Sequence, residues 1–170
     1  MILLLQLVIL LIVCAVIAYM VVISYLVYRG CNYIPTPKVD IDVALSMLKK
    51  GDTFIDLGFG NGEVMQAAAK RKAKRVIGYE LDFVRYFKTK LKLRLDGFDK
   101  YTFKYADIWS ADLSEADVVF TFFTVIHMQK LYEKAKREMK KGSWFISYVH
   151  PIPGVRPTRK VGSVQFFQIK

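Results

Sequence analysis

The sequence predicts an α/β chain in which a mostly parallel, doubly wound sheet follows one N-terminal transmembrane helix. Three observations carry that reading. Residues 1–28 hold no charged side chain, with Gln6 and Ser24 their most polar members. Beyond them, short apolar runs alternate with amphipathic segments, the pattern of parallel strands joined by helices. The run Thr53-Phe-Ile-Asp-Leu-Gly-Phe-Gly-Asn-Gly62 reads as a buried strand, a glycine turn and a helix start. Glu80 closes the next apolar run, Val76-Ile-Gly-Tyr-Glu80, about 20 residues on.

As a helix, residues 1–28 would extend about 42 Å at 1.5 Å per residue, longer than the roughly 30 Å hydrocarbon core of a bilayer. A cleaved signal peptide is disfavoured: no positive segment leads the run, the run is too long, and no small-x-small site ends it. The flanks of Cys14 and Cys31 do not suit lipid attachment, and two cysteines with one inside the span give no disulfide framework. No basic residue precedes the span, while Arg29, Lys38, Lys49 and Lys50 follow it. The positive-inside rule therefore expects a single pass with the N-terminus out and the C-terminal domain on the cytoplasmic side.

Residues 29–38 form a juxtamembrane linker in which Tyr33-Ile-Pro-Thr-Pro37 is held extended by its prolines. The domain over 39–170 opens with a predicted helix, Asp40 to Lys50, whose Ile41, Ala44, Leu45 and Leu48 share one face and which Gly51 ends. Thr53 to Phe59 is the first strand and Gly62 to Lys70 the helix after it; Arg75 to Leu81 and Asp82 to Leu95 repeat the pair. Tyr101 to Tyr105 is a third strand, with Asp107-Ile-Trp109 leaving its end. Asp117 to Phe123 is an apolar buried strand, and His127 to Lys140 a helix stopped by Gly142. Ser143 to His150 is a fifth strand, broken by Pro151 and Pro153, and Val164 to Ile169 is the last. Ligands bind such sheets at the carboxyl ends of the strands. Asp56, Glu80, Asp107, Phe122 to Thr124 and Tyr148 to Pro151 all fall there.

The net charge of +11 lies almost wholly in the domain. Its clusters are Lys70-Arg71-Lys72 with Lys74-Arg75, and Lys88, Lys90, Lys92 and Arg94 on one predicted helix. Nucleic acid is one reading. Beside a membrane anchor, attraction to an anionic lipid surface at about 1 kcal/mol per basic residue is the better one.

The acids around the glycine loop narrow its ligand. A pyrophosphate cofactor asks for G-x-G-x-x-G/A with uncharged positions facing its phosphates. Here Glu63 takes the third-glycine position and Asp56 precedes the loop. Each carboxylate would repel a phosphate by roughly 4 kcal/mol at about 4 Å and an effective dielectric of about 20. The same acids suit a ligand with an ammonium and a cationic sulfur, S-adenosyl-L-methionine, and Glu80 suits the two hydroxyls of its ribose.

On these residues the chain resembles the class I S-adenosylmethionine-dependent methyltransferases, which share a Rossmann-like fold. Phe54-Ile-Asp-Leu-Gly-Phe-Gly-Asn-Gly62 looks like their first motif. Gly78-Tyr-Glu-Leu81 and Ala106-Asp-Ile-Trp109 look like their ribose- and adenine-contacting motifs. The N-terminal span, Pro35-Thr-Pro37 and Pro151-Ile-Pro153 add a narrower resemblance over roughly residues 33–155. It is to the small membrane-anchored protein-lysine methyltransferases related to those modifying the ATP synthase c-subunit and the adenine nucleotide translocase. Phe59 departs from the class, which usually carries a small residue there, and its ring would narrow the methionine end of the pocket. Asn61 and Asp82 are milder variations.

The resemblance implies roles. Asp56 would hold the methionine ammonium, directly or through water, while Leu57, Gly58, Phe59, Gly60 and Gly62 bring the backbone close. Glu80 would bind the ribose hydroxyls. Asp107 would accept from the adenine amino group, with Leu81 and Ile108 packed on the ring; its plainer role is a turn cap. Methyl transfer rests mostly on proximity and orientation. A lysine nucleophile costs roughly 4.6 kcal/mol to deprotonate at pH 7, a cost that burial among apolar groups near a cation would reduce. Phe122, Phe123, Tyr148 and Tyr33 are candidates to line its channel. His127 and His150, the chain's two histidines, are candidates to take its proton.

Absences also inform. The fourth strand ends Phe122-Phe-Thr124 without the Asn/Asp-Pro-Pro-Tyr corner that grips planar amide or base nitrogens. No Cys/His grouping has metal spacing, and no acid pair suggests hydrolysis. No insertion is long enough for a lid, so a partner or the membrane is expected to complete the site. The expectation is a membrane-anchored methyltransferase acting on lysine in a membrane protein. Its alternatives are a lipid or quinone-like acceptor, and an inactive cofactor-binding scaffold.

Overall fold

A computed structural model of the chain describes residues 1–28, 34–95, 97 and 100–170. The chain divides into two compact units, Met1–Asn32 and Tyr33–Lys170. The first is built on one helix, α1 (Ile2–Tyr28). Within Ile2–Tyr25 an 18-residue stretch has a mean hydropathy of 3.1, and by length and composition the helix can cross a membrane. A helix apolar on every side has no aqueous face to offer. Half of the expected linker, with Arg29, Cys31 and the channel candidate Tyr33, lies outside the described residues.

The second unit opens with α2 (Lys38–Ala44), which tightens into a 3-10 turn over Leu45–Met47. Then follow β1 (Thr53–Leu57), α3 (Glu63–Lys70), β2 (Arg75–Glu80), α4 (Phe83–Leu95) and β3 (Tyr101–Tyr105). After a 3-10 turn at Ile108–Ser110 come β4 (Val118–Thr121), α5 (Val125–Glu138), β5 (Trp144–Tyr148), β6 (Arg159–Val161) and β7 (Val164–Gln168). The seven strands form one sheet in the order β3-β2-β1-β4-β5-β7-β6. The first five are parallel, and β7 runs antiparallel to both β5 and β6. This is the mostly parallel, Rossmann-like sheet the sequence predicts.

Every residue of β1 and β4 is buried, as befits parallel strands covered on both faces. Alternating side chains split the core into two layers. Phe54, Val76, Phe120 and Ile146 pack with Met65, Tyr86 and Leu93 beneath α3 and α4. Ile55, Ile77, Val119 and Phe145 pack with Met128 and Leu131 beneath α5. The chain lays β1, β2 and β3 outward in one direction, then returns to place β4 on the other side of β1. The crevice at that reversal is where an open α/β sheet receives ligands.

Several boundaries differ from expectation, each for a local reason. The helix predicted from Asp40 starts at Lys38, because the Pro37 carbonyl already accepts from the amides of Asp40 and Ile41. β1 stops at Leu57 because the amides of Gly58 and Phe59 both turn to the Tyr79 carbonyl, at 2.9 and 3.1 Å. The sequence reading does not anticipate β6. It is a three-residue edge strand, exposed and basic, too short for alternation to register. Gly162-Ser163 joins it to β7 as a two-residue hairpin loop, with Gly162 at φ +56°.

Phe59 also corrects an expectation. Its ring is 3% exposed and packs against Tyr86 and Phe103, with centroids 6.2 and 5.8 Å apart. The ring therefore lies in the core beneath the loop and leaves only its backbone at the mouth. Gly78 makes the room. A Cβ there would collide with the Met65 sulfur and stand 2.5 Å from Phe59 Cδ1. Gly78→Ala is expected to destabilise the chain by about 1–3 kcal/mol through overpacking. Urea unfolding checks this; an unmoved midpoint would mean that Phe59 and Met65 yield freely.

Candidate active site

The loop between β1 and α3 is held open by backbone geometry. Gly58 adopts φ +90°, a conformation costly for any residue with a Cβ, and the space a Cβ would occupy is empty to 4 Å. Gly62, at φ +79°, is needed for a different reason: a Cβ would stand 2.7 Å from Leu93 Cδ1 and 2.8 Å from Thr89 Cγ2. Thr89 also donates its hydroxyl to the Gly60 carbonyl at 2.8 Å. α4 thus grips the loop from the side.

Two buried acids stand at the strand ends. Glu80, 5% exposed, accepts from the Gly60 amide at 2.9 Å through Oε2, and from the Leu81 and Asp82 amides at 3.0 and 2.9 Å through Oε1. Burial raises its pKa, against the pull of the Asp82 and Gly60 amides and the Arg85 guanidinium. Asp56, 2% exposed, has no hydrogen-bond partner for Oδ2. Burial pushes its carboxyl well above the ordinary range, and the charges of Glu80 and Glu63 push the same way. A buried acceptor left unpaired costs free energy, so its presence beside an open loop marks a site for a donor or cation.

Along the crevice, Asp107 caps the 3-10 turn, accepting from the Trp109 amide at 3.2 Å through Oδ1. Ile108 is buried in the α5-side core, and Leu81 is half-buried.

The five described residues proposed for the channel and the proton fall into two groups. Phe122 and Phe123, just beyond β4, project to opposite faces and join different core layers. On the α2 side, Phe122 stacks edge-on to Tyr148 at 4.9 Å and lies 5.9 Å from the His150 ring. On the α5 side, Phe123 packs against His127 at 5.4 Å and Trp109 at 6.3 Å. These two groups do not line one channel. Between β5 and Pro151, Val149 holds φ +65°, strained for a β-branched residue. Its amide donates to the Ser163 carbonyl, and its carbonyl accepts from Gln165 Nε2, so the β6–β7 hairpin clamps this corner.

Thr124, at the N-cap position of α5 and among the strand-end residues the sequence marks, buries an Oγ1 with no hydrogen-bond partner. One residue escaped sequence reasoning. Asp40 accepts from the Tyr148 hydroxyl at 2.8 Å, joining α2 to the end of β5. Burial, then this bond to Asp40, push the Tyr148 hydroxyl up to about 12. A phenol whose pKa is raised on folding adds stability that is present below its unfolded value and lost as pH climbs through its folded one. For Tyr148 that window is 10.0 to about 12. Tyr148→Phe is expected to lower stability near neutral pH by about 1 kcal/mol and to flatten the decline above about pH 10. Urea midpoints across that range test this, and parallel declines in both proteins would refute it.

Residues 56–159 match the ANTKMT methyltransferase domain family. A protein-lysine N-methyltransferase from Saccharolobus islandicus is 28% identical over 129 residues, covering 74% of this chain and 80% of that one. A ribosomal protein L11 methyltransferase from Oceanobacillus iheyensis is 29% identical over 119 residues; the chain spans only 38% of its length. An RNA methyltransferase from Salinibacter ruber, solved with S-adenosyl-L-homocysteine, superposes with a TM-score of 0.76 at 28% identity, covering 80% of this chain and 94% of that one. The match over more than half of its length and the shared fold mean that the chain belongs to the ANTKMT methyltransferase domain family and is a class I methyltransferase.

Proposed function

We propose that the chain is a protein-lysine N-methyltransferase that uses S-adenosyl-L-methionine and acts at the cytoplasmic face of a membrane on a membrane-associated protein. The observation that carries the reading is Asp56, a buried carboxylate with an unpaired oxygen two residues before Gly58, where the space a Cβ would take is empty to 4 Å. That pairing fits a ligand carrying an ammonium. The cofactor supplies a methyl group on a sulfonium, so the protein's task is binding, alignment and removal of one proton. Asp56 would hold the ammonium and the bare backbone of Gly58, Gly60 and Gly62 would admit the cofactor closely. Glu80 Oε2, which accepts from one amide, keeps a lone pair for a ribose hydroxyl. Asp107, Leu81 and Ile108 would border the adenine.

The lysine acceptor draws support from the name of the Saccharolobus islandicus relative, of which the chain covers 80%. The Phe122, Tyr148 and His150 rings support it physically. Aromatic faces hold an ammonium, and their apolar surroundings lower its pKa toward the neutral amine that reacts. His150 is the group we assign to take the proton. The membrane assignment rests on α1 and on the bases Arg29, Lys38, Lys49 and Lys50 that follow it.

Membranes lacking this protein, incubated with the full chain and radiolabelled S-adenosyl-L-methionine, should yield a labelled protein that mass spectrometry finds methylated on lysine. Label confined to the lipid extract would replace this reading with a small-molecule acceptor, and no label despite cofactor binding would make the chain a scaffold. Asp56→Ala serves as more than a control. Loss of a charge-assisted contact worth about 1.5–3 kcal/mol should weaken cofactor binding by roughly 10–100-fold. Because Asp56 has a raised folded pKa, its ionised form opposes folding at neutral pH, so the same variant should unfold no earlier than the parent. Binding by the parent should also tighten as pH rises through the raised Asp56 pKa, since an ammonium favours the carboxylate; Asp56→Asn should abolish that dependence. Calorimetric titrations across pH would expose the opposite trend.

A further inference from the structure

We infer that the outer face of α4 docks the catalytic domain onto an anionic bilayer surface, a contact that rests on the reading of α1 as a membrane span. At about 100° per residue, Tyr86, Thr89 and Leu93 make up the buried face of α4. Val84, Leu91 and Leu95 fall nearly opposite and are 73%, 63% and 80% exposed. Phe83 and Phe87 widen this stripe, their rings 4.6 Å apart, and Tyr105 from β3 extends it, 5.6 Å from Phe83. β3 is the edge strand of the sheet, so the corner is open. A contiguous apolar surface of this kind marks an interaction site.

Charge selects what covers it. α4 holds five basic residues and no acidic one. Lys88, Lys92 and Arg94 are exposed along the stripe, and Lys104 is exposed beside Tyr105. An apolar stripe edged with Lys and Arg is the composition of helices that lie in a membrane interface, rings and leucines among the acyl chains and cations at the headgroup phosphates. A nucleic acid would engage the cations and stack bases on the rings, but it would leave Val84, Leu91 and Leu95, the most exposed part of the stripe, in water. A second copy of the chain would set one basic stripe against another. The tether completes the argument: Lys38 follows Tyr28 by ten residues, at most about 35 Å of chain, so an anchored domain stays within reach of the headgroups.

The test uses the full chain with Cys14→Ala and Cys31→Ala, and one new cysteine, Leu91→Cys, carrying an environment-sensitive fluorophore. Ser114→Cys, exposed in the loop before β4, is the control site. Both are reconstituted into phosphatidylcholine vesicles with and without phosphatidylserine. Docking predicts blue-shifted emission from position 91 in the anionic vesicles, quenched by spin-labelled lipid and reversed by high salt, with position 114 unmoved. Aqueous emission from position 91 in those vesicles would overturn the proposal. So would a blue shift that appears in detergent and grows with protein concentration, which would put a second copy on this face. Alkaline carbonate extraction tests the anchor separately. Protein that resists extraction while position 91 stays aqueous keeps its span and loses the docking; protein that is extracted yet shifts at position 91 keeps the docking and loses the span.

Discussion

Glu80 sits where two successive strand-to-helix turns meet, and it binds the amides of both. One oxygen takes Gly60 from the loop after β1, and the other takes Leu81 and Asp82 at the entrance to α4. At 5% exposure these bonds are shielded from water, and charge-assisted bonds of this kind are stronger than neutral ones. The shape of the crevice follows from that one side chain. Gly60 is fixed over β2, Thr89 of α4 is brought to the Gly60 carbonyl, and Gly62 is pressed bare against Thr89 and Leu93. Phe59 is then turned inward over Gly78, so the large ring fills the core beneath the turn and the mouth keeps only backbone.

Asp56 is the counterweight. Next to Glu80, both of whose oxygens accept backbone amides, a second buried carboxylate with an unpaired oxygen is a local error in folding terms. The cost is lowest when Asp56 is protonated, which is the direction its burial and its neighbours drive it. A cationic ligand turns that cost into binding energy, and by mass action the loaded chain becomes more stable than the free one. If Asp56 holds the cofactor as proposed, stability and function pull in opposite directions at one residue, the pattern expected where a site is built for a ligand rather than for the fold.

Much of this was legible because it is local. Glycines that must take positive φ, an acid ending each of two strands, and apolar runs buried on both faces all leave marks within ten residues of sequence. What stayed hidden depends on distance or on a choice between faces. The Tyr148–Asp40 bond joins residues 108 apart, and neither has a neighbour that announces it. Phe122 and Phe123 join different core layers, yet two adjacent aromatics invite being read as one wall. On α4 the apolar stripe of Phe83, Phe87 and Leu91 looks by periodicity like the core side. The fold buries Tyr86, Thr89 and Leu93 instead, because only that face supplies a hydroxyl to the Gly60 carbonyl and fits the bare side of Gly62.

That choice of face has a consequence for how an anchored enzyme would work. A single span confines a domain to the neighbourhood of the bilayer without fixing its orientation. A second contact is needed to fix which way the crevice points. α4 begins just after Glu80, at the carboxyl edge of the sheet, so its first turn and the mouth of the crevice share one rim. Docking of α4 would hold that rim at the headgroups, where a lysine of a membrane protein is also held. Proximity and orientation are the main resources of a methyltransferase, and both would then be supplied by the membrane before any contact between enzyme and acceptor forms. On this view the exposed apolar residues of α4 are part of the same design as the apolar N-terminus: one sets the range, the other sets the aim.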